Sequence, residues 1–259
     1  MSRFWIGLSL MLLFSSFAVS QNPLTSDPQA LTAAAKSIAA LTSGNLVTDV
    51  SILGTVTSFA GSDIETGTAT LLGKGASESK IVLSVNDGSK TEIRNAANGS
   101  PRGKWLNPDG TSGLSAWHNC QTDAIWFFPE LSSLANFPSA GSIFSYVGRE
   151  NWNGLTAQHL RIYRAWPVAT RLQSQNLSAT DFYLDSVSLL PLAVDFNIHP
   201  DNDSKTNIPV EIRFANYQLI DKIQVPFHVQ RLINGGLSLD VVVTSATVNS
   251  GLNDSQFDF

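Results

Sequence analysis

The most regular signal in the chain is the alternation of apolar and polar positions through its C-terminal third. Leu190, Leu192, Val194, Phe196 and Ile198 alternate with Pro191, Ala193, Asp195 and Asn197. Ile208, Val210, Ile212 and Phe214 alternate with Pro209, Glu211, Arg213 and Ala215, and Ile223, Val225, Phe227 and Val229 with Gln224, Pro226, His228 and Gln230. A period of two sends successive side chains to opposite faces of a sheet, so each run predicts an antiparallel strand with one apolar and one polar face. Asp221-Lys222 and Asn234-Gly235-Gly236 fall between runs, where hairpin turns are needed, and the region reads as a meander. Shorter runs predict further strands at Val50–Thr57, at Ile81–Val85 before the Asn86-Asp87-Gly88 turn, at Ile143–Val147, and at Leu160–Tyr163 after the turn at Asn151–Gly154. Pro191, Pro209 and Pro226 lie inside or beside strand patterns. Proline donates nothing to a ladder, so these positions predict strand starts, bulges or edges, and a curved, incompletely closed sheet suits them better than a flat closed sandwich.

Two stretches break the alternation. Asp27-Pro28 is an N-cap followed by proline at the first helical position; Leu31, Ala34, Ala35, Ile38 and Leu41 follow at helical spacing, and Gly44 stops the run. This helix has one apolar face, which must lie on the sheet. The stretch from Trp117 to Leu134 is aromatic and helix-like, and Trp117, Trp126, Phe127, Phe128 and Phe137 cluster in and just after it. Such a cluster serves either ordinary core packing or the plug and lining of an apolar pocket. The fold class is α+β and strand-rich. No repeat or linker divides the chain.

The N-terminus changes the picture of where the protein works. Arg3 gives a positive start, Phe4 to Val19 is apolar apart from serines and Gly7, and Ala18-Val19-Ser20 offers small residues before polar Gln21-Asn22-Pro23. Residues 1–20 read as a signal peptide cleaved after Ser20, leaving a single domain over residues 21–259 that works outside the cytoplasm, in the periplasm or beyond. The apolar run is shorter than the roughly 20 residues a spanning helix needs. With 43% hydrophobic residues the remainder can build a substantial core, while 14% charged residues and a net charge of −5 provide no basic field for nucleic acid. Four sequons, at Asn98, Asn176, Asn202 and Asn253, are read as chance occurrences.

The residues carry no recognisable catalytic motif. Cys120 is the only cysteine and reads as a buried small hydrophobe. His118, His159, His199 and His228 are dispersed, without metal-site spacing, and surface or turn positions are expected for them. Gly67 to Gly75 imitates a phosphate loop with the wrong spacing, and no G-x-S-x-G elbow is present. Asp181, Asp185 and Asp195 could meet in space as a glycosidase pair, which spacing alone does not establish. No catalytic residue, metal or cofactor is assigned.

The C-terminal residues carry a family likeness: Leu190-Pro191-Leu192, the strand around Tyr217, Ile223-Gln224-Val225-Pro226-Phe227, Val243-Thr244-Ser245, and the closing run Asn249-Ser250-Gly251-Leu252-Asn253-Asp254-Ser255-Gln256-Phe257. In that order they resemble the last strands of outer-membrane lipoprotein carrier-like proteins, the LolA/LolB type of envelope protein. The resemblance covers roughly the last 75 residues, and its phrases are short. It implies an open half-barrel of antiparallel strands covered by a few helices. Its apolar cavity would take lipid or the acyl chains of lipoproteins, with no catalytic step and with an envelope protein partner or peripheral membrane contact. Under that implication Trp117, Trp126, Phe127, Phe128, Phe137, Phe196, Phe214 and Phe227 are the candidate apolar lining. The chain departs from compact carriers in its extra length at Asn98–Gly113 and Gln173–Thr180. Two other readings stay open: a secreted hydrolase acting on glycans or esters, and a β-rich structural or adhesion subunit.

Overall fold

The structure, a computed structural model, describes residues 25–97, 99–135, 141–166 and 171–259. The expected signal peptide at 1–20 and Phe137 lie outside the described residues. The first helix, α1 (Pro28–Thr42), starts where the sequence places it: the Asp27 side chain accepts from Gln29 N, Pro28 follows, and Ser43 in the left-handed region ends it ahead of Gly44. Its buried face is Ala30, Ala33, Ala34, Ser37 and Leu41, with Leu31 and Ile38 half-buried beside it. The small residues let the helix lie close on the sheet, and Leu41 anchors its last turn in the core.

Thirteen strands follow among the described residues: β1 (Asp49–Ala60), β2 (Asp63–Lys74), β3 (Glu78–Val85), β4 (Gly88–Ala97), β5 (Ser100–Leu106), β6 (Ser112–Leu114), β7 (Ser142–Trp152), β8 (Leu155–Arg164), β9 (Thr180–Asp185), β10 (Pro191–Ile198), β11 (Ile208–Ile220), β12 (Ile223–Ile233) and β13 (Gly236–Val248). They form one antiparallel sheet in the order β6-β5-β4-β3-β2-β1-β13-β12-β11-β10-β9-β8-β7, an open half-barrel whose free edges are β6 and β7. The chain starts at the middle of the sheet, walks out to one edge, crosses to the other edge by a segment that begins at residue 115, and walks back. The one pairing between strands distant in sequence is β1 with β13.

Local chemistry explains the register. Asp221 and Lys222 (φ 47° and 71°), Asn234 and Gly235 (50° and 76°), and Asn153 and Gly154 (47° and 86°) form two-residue hairpin turns with both residues at positive φ, the geometry whose twist matches paired strands. Pro191 opens β10 at a register shift and Pro209 is the second residue of β11. Pro226 lies within β12, and counting from the Asp221-Lys222 turn places its nitrogen toward β13. The β12–β13 ladder starts only at His228, so no bond is lost there. The alternation read at Leu192 fails because this shift puts both Ala193 and Val194 in buried positions.

The core fills the concave face: Val50, Ile52, Leu71, Ile81, Leu160, Phe182, Ile212, Phe214, Val229 and Val241 all belong to it. The closing run of the chain is a clasp on this framework. Asp49, at 2% exposure, accepts from Thr48 Oγ1, Ser250 N, Ser250 Oγ and Gly251 N. Asn253 and Gln256 form a reciprocal cap, Phe257 is fully buried, and its carbonyl accepts from Asn95 Nδ2. Among the described residues no helix is long and apolar enough to cross a membrane.

Candidate functional site

The opening between the two sheet edges is covered by the crossing segment and α1. The crossing segment is not the helix its sequence suggests; it contains two single 3-10 turns, Trp117–Cys120 and Pro129–Leu131. A surface helix would keep one face exposed, but every residue from Ala124 to Leu131 is buried, and Pro129 lacks the amide a helix would use. Glycines seat it. A Cβ on Gly73 of β2 would come within 2.8 Å of Ile125, and one on Gly103 of β5 within 2.7 Å of the Ser115 hydroxyl.

Polar ties hold the segment to both walls. Arg94 of β4, 7% exposed, donates Nη2 to Thr122 O at 2.9 Å and Nη1 to Asp123 O at 3.0 Å. On the opposite wall Asn119 makes a two-way bond to the backbone of His199, donating Nδ2 to its carbonyl at 2.7 Å and accepting its N–H at 2.8 Å. The Asp123 carboxylate receives Ser133 N and Oγ, and the Arg231 guanidinium of β12 stands over the Trp126 ring at 5.4 Å. Cys120 is buried beneath, and burial pushes its thiol up despite nearby Arg94. His159 and His199 are buried, against the surface or turn positions expected of histidines. The first is enclosed by an acidic cluster on the sheet, and the second bonds Thr206 O through Nδ1.

Among the spaces that border the crossing segment, two are apolar in part. A cavity of about 190 Å³ lies between it and the two walls, lined by Trp105, Trp126, Phe196, Ile198, Val210 and Ile233 together with Glu92, Arg94, Asp201 and Arg231. A wider groove of about 630 Å³ runs past Trp117, Trp166, Leu172 and Leu177 beside the second helix, α2 (Arg171–Ser178). Trp117 is 57% exposed and meets Trp166 with ring centroids 6.1 Å apart. Of the candidate lining residues, Trp126 and Phe196 border the cavity and Trp117 borders the groove. Phe127, Phe128 and Phe214 are packed in the core, and Phe227 is half-buried against it. Sequence reasoning missed Arg94, Asn119 and Arg231. Arg231 had a readable signal, because it continues the apolar phase Val225, Phe227, Val229 with a cation.

The opposite face of the sheet carries a polar row across four strands, with Arg161, Asp181, Asp195 and Glu211 in register. Asp181 accepts from His159 Nε2 and, through both oxygens, from Arg161; burial pushes its carboxyl up, but these bonds bring it below its ordinary range. Glu150 bonds the other nitrogen of His159. Asp195 is pushed up to about 7 by burial and by the charges of Glu211 and Asp181, and its Oδ1 has no partner. The row borders a pocket of about 410 Å³ shared with Gln175 and Asn176 of α2. Asp185 belongs to a turn, accepting from Val187 N and Ser188 N.

Comparison with family models finds no match, and comparison with curated proteins finds none either. Solved structures do match over most of the chain. A domain from Vibrio parahaemolyticus assigned as an outer membrane lipoprotein-sorting protein has a TM-score of 0.54 at 15% identity, covering 89% of this chain and 96% of its own. A DUF1329 family protein from Desulfovibrio piger gives 0.56 at 12% identity over 92% and 98%. A LolA superfamily protein from Nitrosomonas europaea gives 0.53 at 12% identity over 89% and 97%.

Proposed function

We propose that this chain, which has the fold of the LolA superfamily and of outer membrane lipoprotein-sorting domains, is an exported envelope protein that binds lipid or lipoprotein acyl chains on the concave face of its half-barrel, without catalysis. Residues 1–20 direct export and are removed, and residues 21–259 act as one domain. The observation that carries the reading is the cover: an apolar concave face is closed by a non-helical segment held through a few polar ties to both walls. Burying each methylene there contributes about 0.8 kcal/mol. The cavity of about 190 Å³ is below the roughly 300 Å³ at which ligand pockets begin. A full acyl chain therefore enters only as the crossing segment moves outward, and the groove beside Trp117 is its approach. Mass spectrometry of organic extracts from gently purified mature protein, against a mock purification, tests this. Stoichiometric acyl lipid is expected, whereas a clean extract together with no binding of added lipid refutes the reading.

One observation favours a second reading, the hydrolase. Asp181 and Asp195 are cross-strand neighbours whose acidities are pushed apart, in a pocket with several amide side chains. Such divergence is the pattern of an acid and base pair acting on glycans. Hydrolysis of aryl glycosides that Asp195→Asn abolishes would support it, and turnover indistinguishable from buffer would remove it.

A further inference from the structure

The inner face of β12 places Arg231 between Ile212 of β11 and Leu239 of β13, in a row otherwise apolar. A cation in that position is costly unless it is paired and fully hydrogen-bonded. Its partners are few. Nε donates to Ser238 Oγ at 3.2 Å, the guanidinium lies over Trp126, and among the described residues no carboxylate forms an ion pair with it. Arg94, the other guanidinium of the cavity, is committed to two backbone carbonyls of the crossing segment. Glu92 and Asp201 also line the cavity, and the charge of Glu92 partly offsets the burial that pulls the Arg231 guanidinium down. Arg231 therefore presents charge-assisted donors into a half-open space with an apolar wall of Phe196, Ile198, Val210 and Ile233 and a polar wall that includes Glu92, Arg94, Asn119 and Asp201. The cation stands where the polar wall meets the apolar one.

We infer that Arg231 receives the anionic headgroup of a single-chain amphiphile, a carboxylate, whose first methylenes lie against Phe196, Val210 and Ile233. The inference rests on the lipid-binding reading and adds the headgroup class and its orientation, head inward. The cavity of about 190 Å³ equals roughly six water volumes at about 30 Å³ each. That is room for a carboxylate and a short run of methylenes with the crossing segment in place. A longer chain continues into the space the segment vacates.

The test is displacement of N-phenyl-1-naphthylamine from mature protein by dodecanoate and by 1-dodecanol at pH 8, each below its aggregation limit, with acetate as a chainless anion. Dodecanoate is expected to bind at least about tenfold more tightly than the alcohol, since charge-assisted bonds to a carboxylate are worth that much. Arg231→Met removes this preference, so that the acid and the alcohol bind alike. Glu92→Gln, which takes away the competing carboxylate, strengthens dodecanoate binding, an opposite sign that a purely structural role for the pair would not give. Should Arg231→Met fail to fold, the wild-type preference and the Glu92→Gln shift still decide. Equal binding of acid and alcohol by the wild type overturns the inference while leaving the lipid reading standing. Displacement by acetate as effective as by dodecanoate also overturns it, by making this a small-anion site. If neither chain binds, the lipid reading falls and this inference with it.

Discussion

Glu130 sits within the crossing segment at 3% exposure, and neither carboxyl oxygen has a hydrogen-bond partner. Burial raises its pKa well above the ordinary carboxylate value of 4.5. Between that value and the folded one, the native protein keeps a proton that the unfolded chain has released. The unfolded state then binds fewer protons, so stability falls as pH rises, by about 1.36 kcal/mol per unit. Glu130→Gln keeps the shape and cannot ionise. The gain of the variant over the parent therefore grows as pH rises above 4.5, by up to about 1.36 kcal/mol per pH unit, until the folded value is passed. For a domain of this size each kcal/mol is about 2–4 °C in Tm. Urea unfolding of both proteins at half-unit steps from pH 4.5 to 8 reads the difference directly. Parallel stability curves would refute the reasoning, because they would mean that the carboxyl ionises alike in both states.

Arg94→Met should loosen the crossing segment by about 3 kcal/mol or more, since two charge-assisted bonds are lost and two carbonyls are left without donors. Hydrogen exchange across residues 117–135 should quicken on the order of a hundredfold, with β1 and β13 unchanged. Asp49 acts with the opposite pH sign to Glu130: burial pushes its carboxyl up, but its hydrogen bonds overcome this and hold it below its ordinary value. Its contribution is therefore full above about pH 4 and lost as pH falls through the folded value. Asp49→Asn should cost about 1–3 kcal/mol at pH 7, and the gap from wild type should narrow in acid, as read by urea melts at pH 2.5 to 5. Lys222→Gly should stabilise by about 0.5 kcal/mol, because Lys222 holds a φ of 71° that glycine adopts without a Cβ clash. A lower urea midpoint would contradict that.

Alternation made the C-terminal meander legible because each of those strands has one face in the core and one in water. The Asp221-Lys222 and Asn234-Gly235 turns were legible for the same reason. The N-cap and stop of α1 could also be read, as local chemistry sets both. The crossing segment could not. Its conformation is fixed by contacts with two walls far away in sequence: Gly73 beneath Ile125, Arg94 beneath Thr122, and His199 beside Asn119. Short-range periodicity therefore misread it as helix. The second helix follows no apolar stripe, with only Ser174 and Ser178 buried, and gave no helical signal. The acidic row on the outer face was invisible as a row, because β-strand register brings Asp181, Asp195 and Glu211 together across two turns of the chain.

The pairing of β1 with β13 sets an order of assembly. Every other ladder joins neighbours in the chain, so each half of the sheet can form by successive hairpins. The two halves lock only when Val50 meets Val248, across nearly the whole sequence. Closing so long a loop is slow. Until it happens, the innermost strand of each half stands as an unpaired edge open to other chains. Mutations that weaken this one seam should therefore appear first as aggregation during refolding.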